Sequence, residues 1–208
     1  MSIQNLLPQL LVVAILLLIA FPIHEAAHAW TAYRLGDATA KLFGRVSLNP
    51  IVHFDPLGAL MLLISVGLGS GLIIGWAKPT PVNTANLRDR RNGEVLVALA
   101  GPASNWLMAI AGALVVRAVG LVYDGSLASL VAYYFVLFNV VLGIFNLLPV
   151  PPLDGSALLF RFLSPRQVWE IRPILSQYGI FILLGVLILA GPLLGRAIND
   201  AAIALLGW

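Results

Sequence analysis

What most constrains this chain is a set of five apolar blocks, at residues 6 to 33, 57 to 76, 95 to 122, 127 to 150 and 174 to 194. Each reaches or approaches the ~20 residues needed to cross a hydrocarbon core. Lipid offers the backbone no hydrogen bonds, so blocks of this length satisfy their own N–H and C=O groups as helices. Composition agrees: 60% of the residues are hydrophobic and only 10% charged, against roughly 25% charged in soluble domains. The sequence therefore predicts an all-α polytopic membrane protein with about four to six transmembrane segments. Its 208 residues suit a single integral-membrane domain over 1–208, with no room for a PDZ-like or nucleotide-binding module. A net charge of +3 gives no reason to invoke nucleic acid. The N-terminus has neither a basic region nor a small-residue cleavage site, so its apolar run reads as a retained span. A sixth apolar piece, 197 to 208, follows Gly191-Pro192 and reads as an interfacial tail or the end of a long final helix.

The basic residues set orientation. Arg34, Lys41 and Arg45 follow the first block; Lys78, Arg88, Arg90 and Arg91 precede the third; Arg161, Arg166 and Arg172 precede the fifth. The link around Asp124 has none. The positive-inside rule puts the three basic loops in the cytoplasm of a cell-membrane protein. The block 57–76 then enters and leaves on one side, as a small re-entrant or β-like insertion after the first span. Gly58, Gly67, Gly69, Gly71 and Gly75 would allow the hairpin. Changing Gly69 and Gly71 to Val is expected to impair function, and a plain extra span is the alternative. The expected core is three helices, about 5–34, 94–122 and 127–150, with a C-terminal span near 174–195.

At the end of the first block stands His24-Glu25-Ala26-Ala27-His28. Two imidazoles four residues apart share one helix face, the spacing that seizes one Zn²⁺, and the glutamate between them is placed as a general base. Pro22 frees a carbonyl just before them and kinks the helix. Cysteine is absent, so any metal must be held by His and carboxylate. A catalytic zinc takes three protein ligands and keeps one open position. Asp154 is the best third candidate: Pro149, Pro151 and Pro152 unwind the fourth block, and Gly155 permits a sharp turn after the carboxylate. A helix-capping aspartate is the plainer alternative. Asn146, eight residues upstream of Asp154, offers an amide to a substrate carbonyl or oxyanion, or equally a hydrogen bond between helices. Asn105 and Gly101, four apart on one helix face, read as a packing seam. The aromatics Tyr133, Tyr134, Phe135, Phe138 and Phe145 read as bundle packing and lipid contact.

The ordered segments His24–His28, 49–58, 75–83, 100–105 and 146–155 resemble those of the site-2 protease family, over nearly the whole chain. The resemblance implies an intramembrane zinc metalloprotease, in a short form without PDZ or CBS domains. It implies one Zn²⁺ per chain held by His24, His28 and Asp154, with Glu25 activating the zinc-bound water. Membrane proteins would be its substrates, cut in or near their transmembrane helices. Position in the family suggests that His53 lies near the site, assisting an oxyanion or serving as a resting-state ligand; a loop-tying histidine is the alternative. The oligomeric state is open, a homodimer among the options. Two other classes stand beside this one: an inactive homologue acting as a membrane chaperone or adaptor, and a metal transporter. Intact His24, Glu25, His28 and Asp154 disfavour the first. Their clustering toward one side disfavours the second.

Overall fold

The computed structural model describes residues 3–68 and 74–208. Among them the order is α1 (Ile3–Ile15), a π-helical turn (Leu16–Ala20), α2 (Phe21–Arg34), α3 (Thr39–Leu42), α4 (Pro50–His53), α5 (Pro56–Gly67), a 3₁₀ turn (Thr84–Asn86), α6 (Arg90–Ala118), α7 (Leu127–Phe145), α8 (Ser156–Phe162) and α9 (Pro165–Leu206). Four helices are long and apolar enough to cross a membrane: Leu10–Arg34, Arg90–Ala118, Leu127–Phe145 and Pro165–Leu206. The protein is an all-α, multi-pass membrane protein.

Side chains fix where the helices begin. Asp55 accepts from the Leu57 and Gly58 amides, and Asp89 from those of Arg91 and Asn92, each occupying N–H groups that the first turn leaves free. Ser164 and Gln167 form a reciprocal capping box at the start of α9. The first crossing is continuous from α1 through the π turn into α2. Pro22, at the second position of α2, brings no N–H, and the widened turn just before it takes up the mismatch.

The long crossings pack through small side chains, as association in lipid requires, where close van der Waals contact replaces the hydrophobic drive. Ala109, Ala113 and Val116 of α6 meet Val136 and Val140 of α7 and Ala202 and Leu206 of α9. A second cluster joins Val12, Leu16 and Ala20 of the first crossing to Leu62 and Val66 of α5 and Phe138 of α7. Large apolar side chains left uncovered, such as Leu189 of α9 at 86% exposure, form the surface that lipid wets.

Among the described residues the block 57–76 is helical only in α5, whose 12 residues from Pro56 to Gly67 make about 18 Å, too short for a ~30 Å core. The chain then returns alongside it. The Ile74 amide donates to Ser65 Oγ at 2.9 Å, and the Lys78 amide to the His53 carbonyl at 2.8 Å. Glycine is required at Gly58, where a Cβ would sit 2.1 Å from the Trp76 carbonyl oxygen. Residues 74–83 carry no strand, so the β-like alternative does not form among the described residues. Gly69 and Gly71 lie outside the described residues.

Gly191-Pro192 does not end the last helix. α9 runs 42 residues with Pro173 and Pro192 inside it, so the sixth apolar piece is its continuation. A proline in a helix strands about one carbonyl, whereas a full break in lipid strands several, each costing several kcal/mol. The kinked helix is the cheaper solution. Arg117, at the end of α6, closes the C-terminus of α9: its Nε donates to Leu205 O at 2.7 Å and its guanidinium also to Ala204 O at 2.6 Å.

Candidate metal centre

His24 and His28 stand one turn apart on α2, both buried, with their Nε2 atoms 3.0 Å apart. The third donor arrives from irregular backbone. α7 stops at Phe145, and the Gly155 amide donates to Asn146 O at 2.6 Å, closing the proline-rich loop on itself. A Cβ at Gly155 would lie 2.2 Å from Leu147 O, so only glycine permits this closure. The turn delivers Asp154 Oδ2 to 3.2 Å from His24 Nε2 and 3.3 Å from His28 Nε2.

The far ring nitrogens decide what this triangle can hold. His28 Nδ1 lies 2.7 Å from Val97 O, a pure acceptor, so Nδ1 carries the proton and Nε2 presents a lone pair. His24 Nδ1 lies 2.6 Å from Asn105 Oδ1, also an acceptor, with the same consequence. Two imidazole lone pairs and a carboxylate oxygen thus converge. Asp154 Oδ2 is buried, with no protein donor among the described residues. Such a set repels itself unless a cation sits among its members. Tetrahedral ligand bonds of ~2.0–2.1 Å place neighbouring donors about 3.3 Å apart, and the edges of 3.0, 3.2 and 3.3 Å match this. Nitrogen and oxygen donors in this number suit zinc.

Residues 122–186, which include the Asp154 loop, match the family described as Peptidase family M50. The chain is similar to "Putative zinc metalloprotease YwhC" of Bacillus subtilis, 38% identical over 167 residues, covering 77% of this chain and 72% of that protein. The chain belongs to peptidase family M50. It is also similar to "Putative zinc metalloprotease Rip2" of Mycobacterium tuberculosis, 34% identical over 183 residues, 86% of this chain and 66% of that protein. "Putative zinc metalloprotease Rip3" of the same organism is 28% identical over 204 residues, and the M50 chain spans 43% of its length. No solved structure matches.

In this M50 member the triangle opens into a cavity of about 610 Å³ lined by Glu25, Thr80, Asn146 and Asp154 among others. Glu25 Oε2 accepts from the Thr80 amide at 2.8 Å and from its hydroxyl at 2.7 Å. Asn146 is on the cavity wall, its amide donating to Leu142 O at 3.1 Å in its own helix. His53 lies apart from that wall. Its ring is buried beside Phe21, Pro22 and Trp76, and Nε2 is 2.8 Å from Ser47 O.

Three participants escape a reading of the sequence: Thr80, Asn105 and Gly101. The seam expected at Gly101 and Asn105 exists, and it is also the wall of the site. A Cβ on Gly101 would lie 2.3 Å from His28 Nε2 and 2.6 Å from His24 Nε2. The available signal was a small-residue face bearing an amide, on a helix that had to pack beside the one carrying both histidines.

Proposed function

We propose that this M50 peptidase is a zinc metalloendopeptidase of the site-2 protease type, hydrolysing peptide bonds in or beside the transmembrane helices of other membrane proteins. One observation carries the reading: two tautomer-fixed Nε2 atoms and Asp154 Oδ2 converge within 3.3 Å of one another, in a cavity that Glu25 also lines, in a protein built to sit in lipid. His24, His28 and Asp154 are the residues that hold the zinc. When bound, zinc polarises the scissile carbonyl and acidifies water. Glu25 takes the proton of the attacking water on Oε1, since Thr80 engages Oε2, and returns it to the leaving nitrogen. Asn146 turns its amide from Leu142 O toward the substrate carbonyl, where charge develops.

A substrate helix keeps its amides paired and must unwind locally before a carbonyl can enter. The irregular segment 74–83, which lines the cavity through Gly75, Trp76 and Thr80, supplies backbone for an extended substrate to pair with. The re-entrant reading of 57–76 supports this placement, because it sets the segment beside α2 on the side of the basic loops. We place the active site toward the cytoplasmic face on the same argument.

The test uses purified protein in lipid vesicles with a transmembrane peptide. Wild type should carry about one zinc per chain and cut the peptide. Glu25→Gln should keep the zinc and lose cleavage by about 10²–10⁴-fold. Zinc held without cleavage of any transmembrane peptide would return the adaptor reading, and zinc passed across the vesicle wall would return the transporter.

A further inference from the structure

Behind His24 a line of polar side chains crosses three helices. His24 Nδ1 meets Asn105 Oδ1 at 2.6 Å, Asn105 Nδ2 meets Asn139 Oδ1 at 3.0 Å, and Asn139 Nδ2 meets Phe135 O at 2.8 Å. Both asparagines are fully buried, at 0% exposure. Buried amides inside a membrane bundle are costly unless bonded, and these two are bonded at both ends.

The direction of the line is fixed at its far end. A backbone carbonyl can only accept, so the Asn139 atom facing Phe135 O must be Nδ2. Its Oδ1 then faces Asn105, which must answer with Nδ2 and turn its own Oδ1 toward His24. His24 is left one choice, to donate from Nδ1. The main chain of α7 thereby selects the tautomer of a histidine on α2 through two amides. His28 reaches the same tautomer independently, from Val97 O.

We propose that Asn105 and Asn139 are positioning residues that act in series, locking His24 with its Nε2 lone pair toward Asp154 and so setting zinc affinity. Metal-ligating histidines are commonly oriented in this way by partners on their second nitrogen, whose loss costs about 10–100-fold in affinity. Here the device is two amides long and ties the ligand helix to the helix that ends in the Asp154 loop. The inference rests on the reading of His24 as a zinc ligand.

The experiment measures zinc affinity by chelator competition, together with the imidazole ¹⁵N spectrum of the metal-free protein in detergent. Asn105→Leu and Asn139→Leu should each weaken zinc binding about 10- to 100-fold and mix the His24 tautomers, leaving His28 unchanged. The double variant should be no worse than the worse single, because both cut one line. Asn105→Asp keeps the acceptor facing His24 and gives up the donor to Asn139; because the carboxylate can only accept, it should hold His24 in the Nδ1–H form without help from Asn139 and bind zinc within a few-fold of wild type. Wild-type affinity and an unmixed His24 in Asn139→Leu would overturn the proposal. So would additive losses in the double variant, or loss in Asn105→Asp as large as in Asn105→Leu. If the leucine variants do not fold, Asn105→Asp is read against wild type: mixed His24 tautomers, or zinc binding weakened by more than about 10-fold, would overturn the proposal. Failure of the wild type to bind zinc through His24 would sink the site reading instead.

Discussion

Thr80 grips Glu25 twice, through its amide at 2.8 Å and its hydroxyl at 2.7 Å, both to Oε2. The two residues are 55 apart in sequence, and the grip leaves Glu25 Oε1 with no protein hydrogen bond among the described residues. A carboxylate held by one oxygen keeps the other aimed and unsatisfied, which suits the general-base role proposed for Glu25. Thr80→Val keeps the amide and removes the hydroxyl. Cleavage of a transmembrane peptide should fall about 10- to 150-fold in kcat with KM little changed, as befits removal of one charge-assisted hydrogen bond worth roughly 1.5–3 kcal/mol. Thr80→Ser should restore it. An equal loss in both variants would mean that the hydroxyl is not what matters.

Gly101→Ala places a methyl where the imidazoles are, 2.3 Å from His28 Nε2. α2 and α6 must then part or the rings must turn, and either change breaks the triangle. Zinc affinity should drop by at least the ~10–100-fold that disturbance of supporting groups produces. Helix content by circular dichroism should hold, since alanine suits a helix better than glycine. Chelator competition reads the outcome, and wild-type affinity would contradict the packing drawn here.

Asp37 sits fully buried between the end of α2 and residues 83–86. It accepts from the Thr39 amide and hydroxyl, the Asn83 amide and the Asn86 side chain. Burial pushes its pKa up, but those hydrogen bonds outweigh burial and hold it below the ordinary carboxylate value. A depressed folded pKa stabilises the fold above the unfolded value of ~3.9, and the contribution is lost as pH falls through the folded one. Asp37→Asn should therefore cost roughly 1–3 kcal/mol at pH 7. Thermal unfolding in detergent should show the gap to wild type closing below about pH 4.

Arg117→Leu removes the donor that closes α9 at Ala204 and Leu205. This cap lies at the C-terminal end of α6, beyond the stretch from Val97 to Asn105 that packs on His24 and His28. It should lower stability by about 1 kcal/mol, visible as a reduced Tm, and leave zinc content and turnover as in wild type. A variant that loses zinc would show that the far end of the bundle governs the site.

Much of this was legible in the chain itself. The helical class follows from apolar blocks that lipid permits to fold in only one way. The spacing of His24 and His28 fixes a shared face, and the prolines before Asp154 dictate an unwound backbone there. What was not legible depends on which helices touch. Asn105 meets His24 across 81 positions, and no local period records that meeting. Nothing local marks Asn139 either, since its partner Asn105 lies 34 positions away on another helix. The length of α9 was one of two readings that the sequence left open, for another reason. Pro192 breaks helices in water, where freed carbonyls find solvent, and bends them in lipid, where nothing else will take the bond.

The residues from Thr80 to Asn83 are moored at both ends to one body. Thr80 is tied to Glu25 within α2, and Asn83 to Asp37 just beyond its last turn. This rim of the cavity and the helix that bears both histidines are therefore tied into one unit. The third donor of the triangle, Asp154, comes instead from the loop between α7 and α8, so the proposed metal site joins two parts of the chain that are otherwise held by different neighbours.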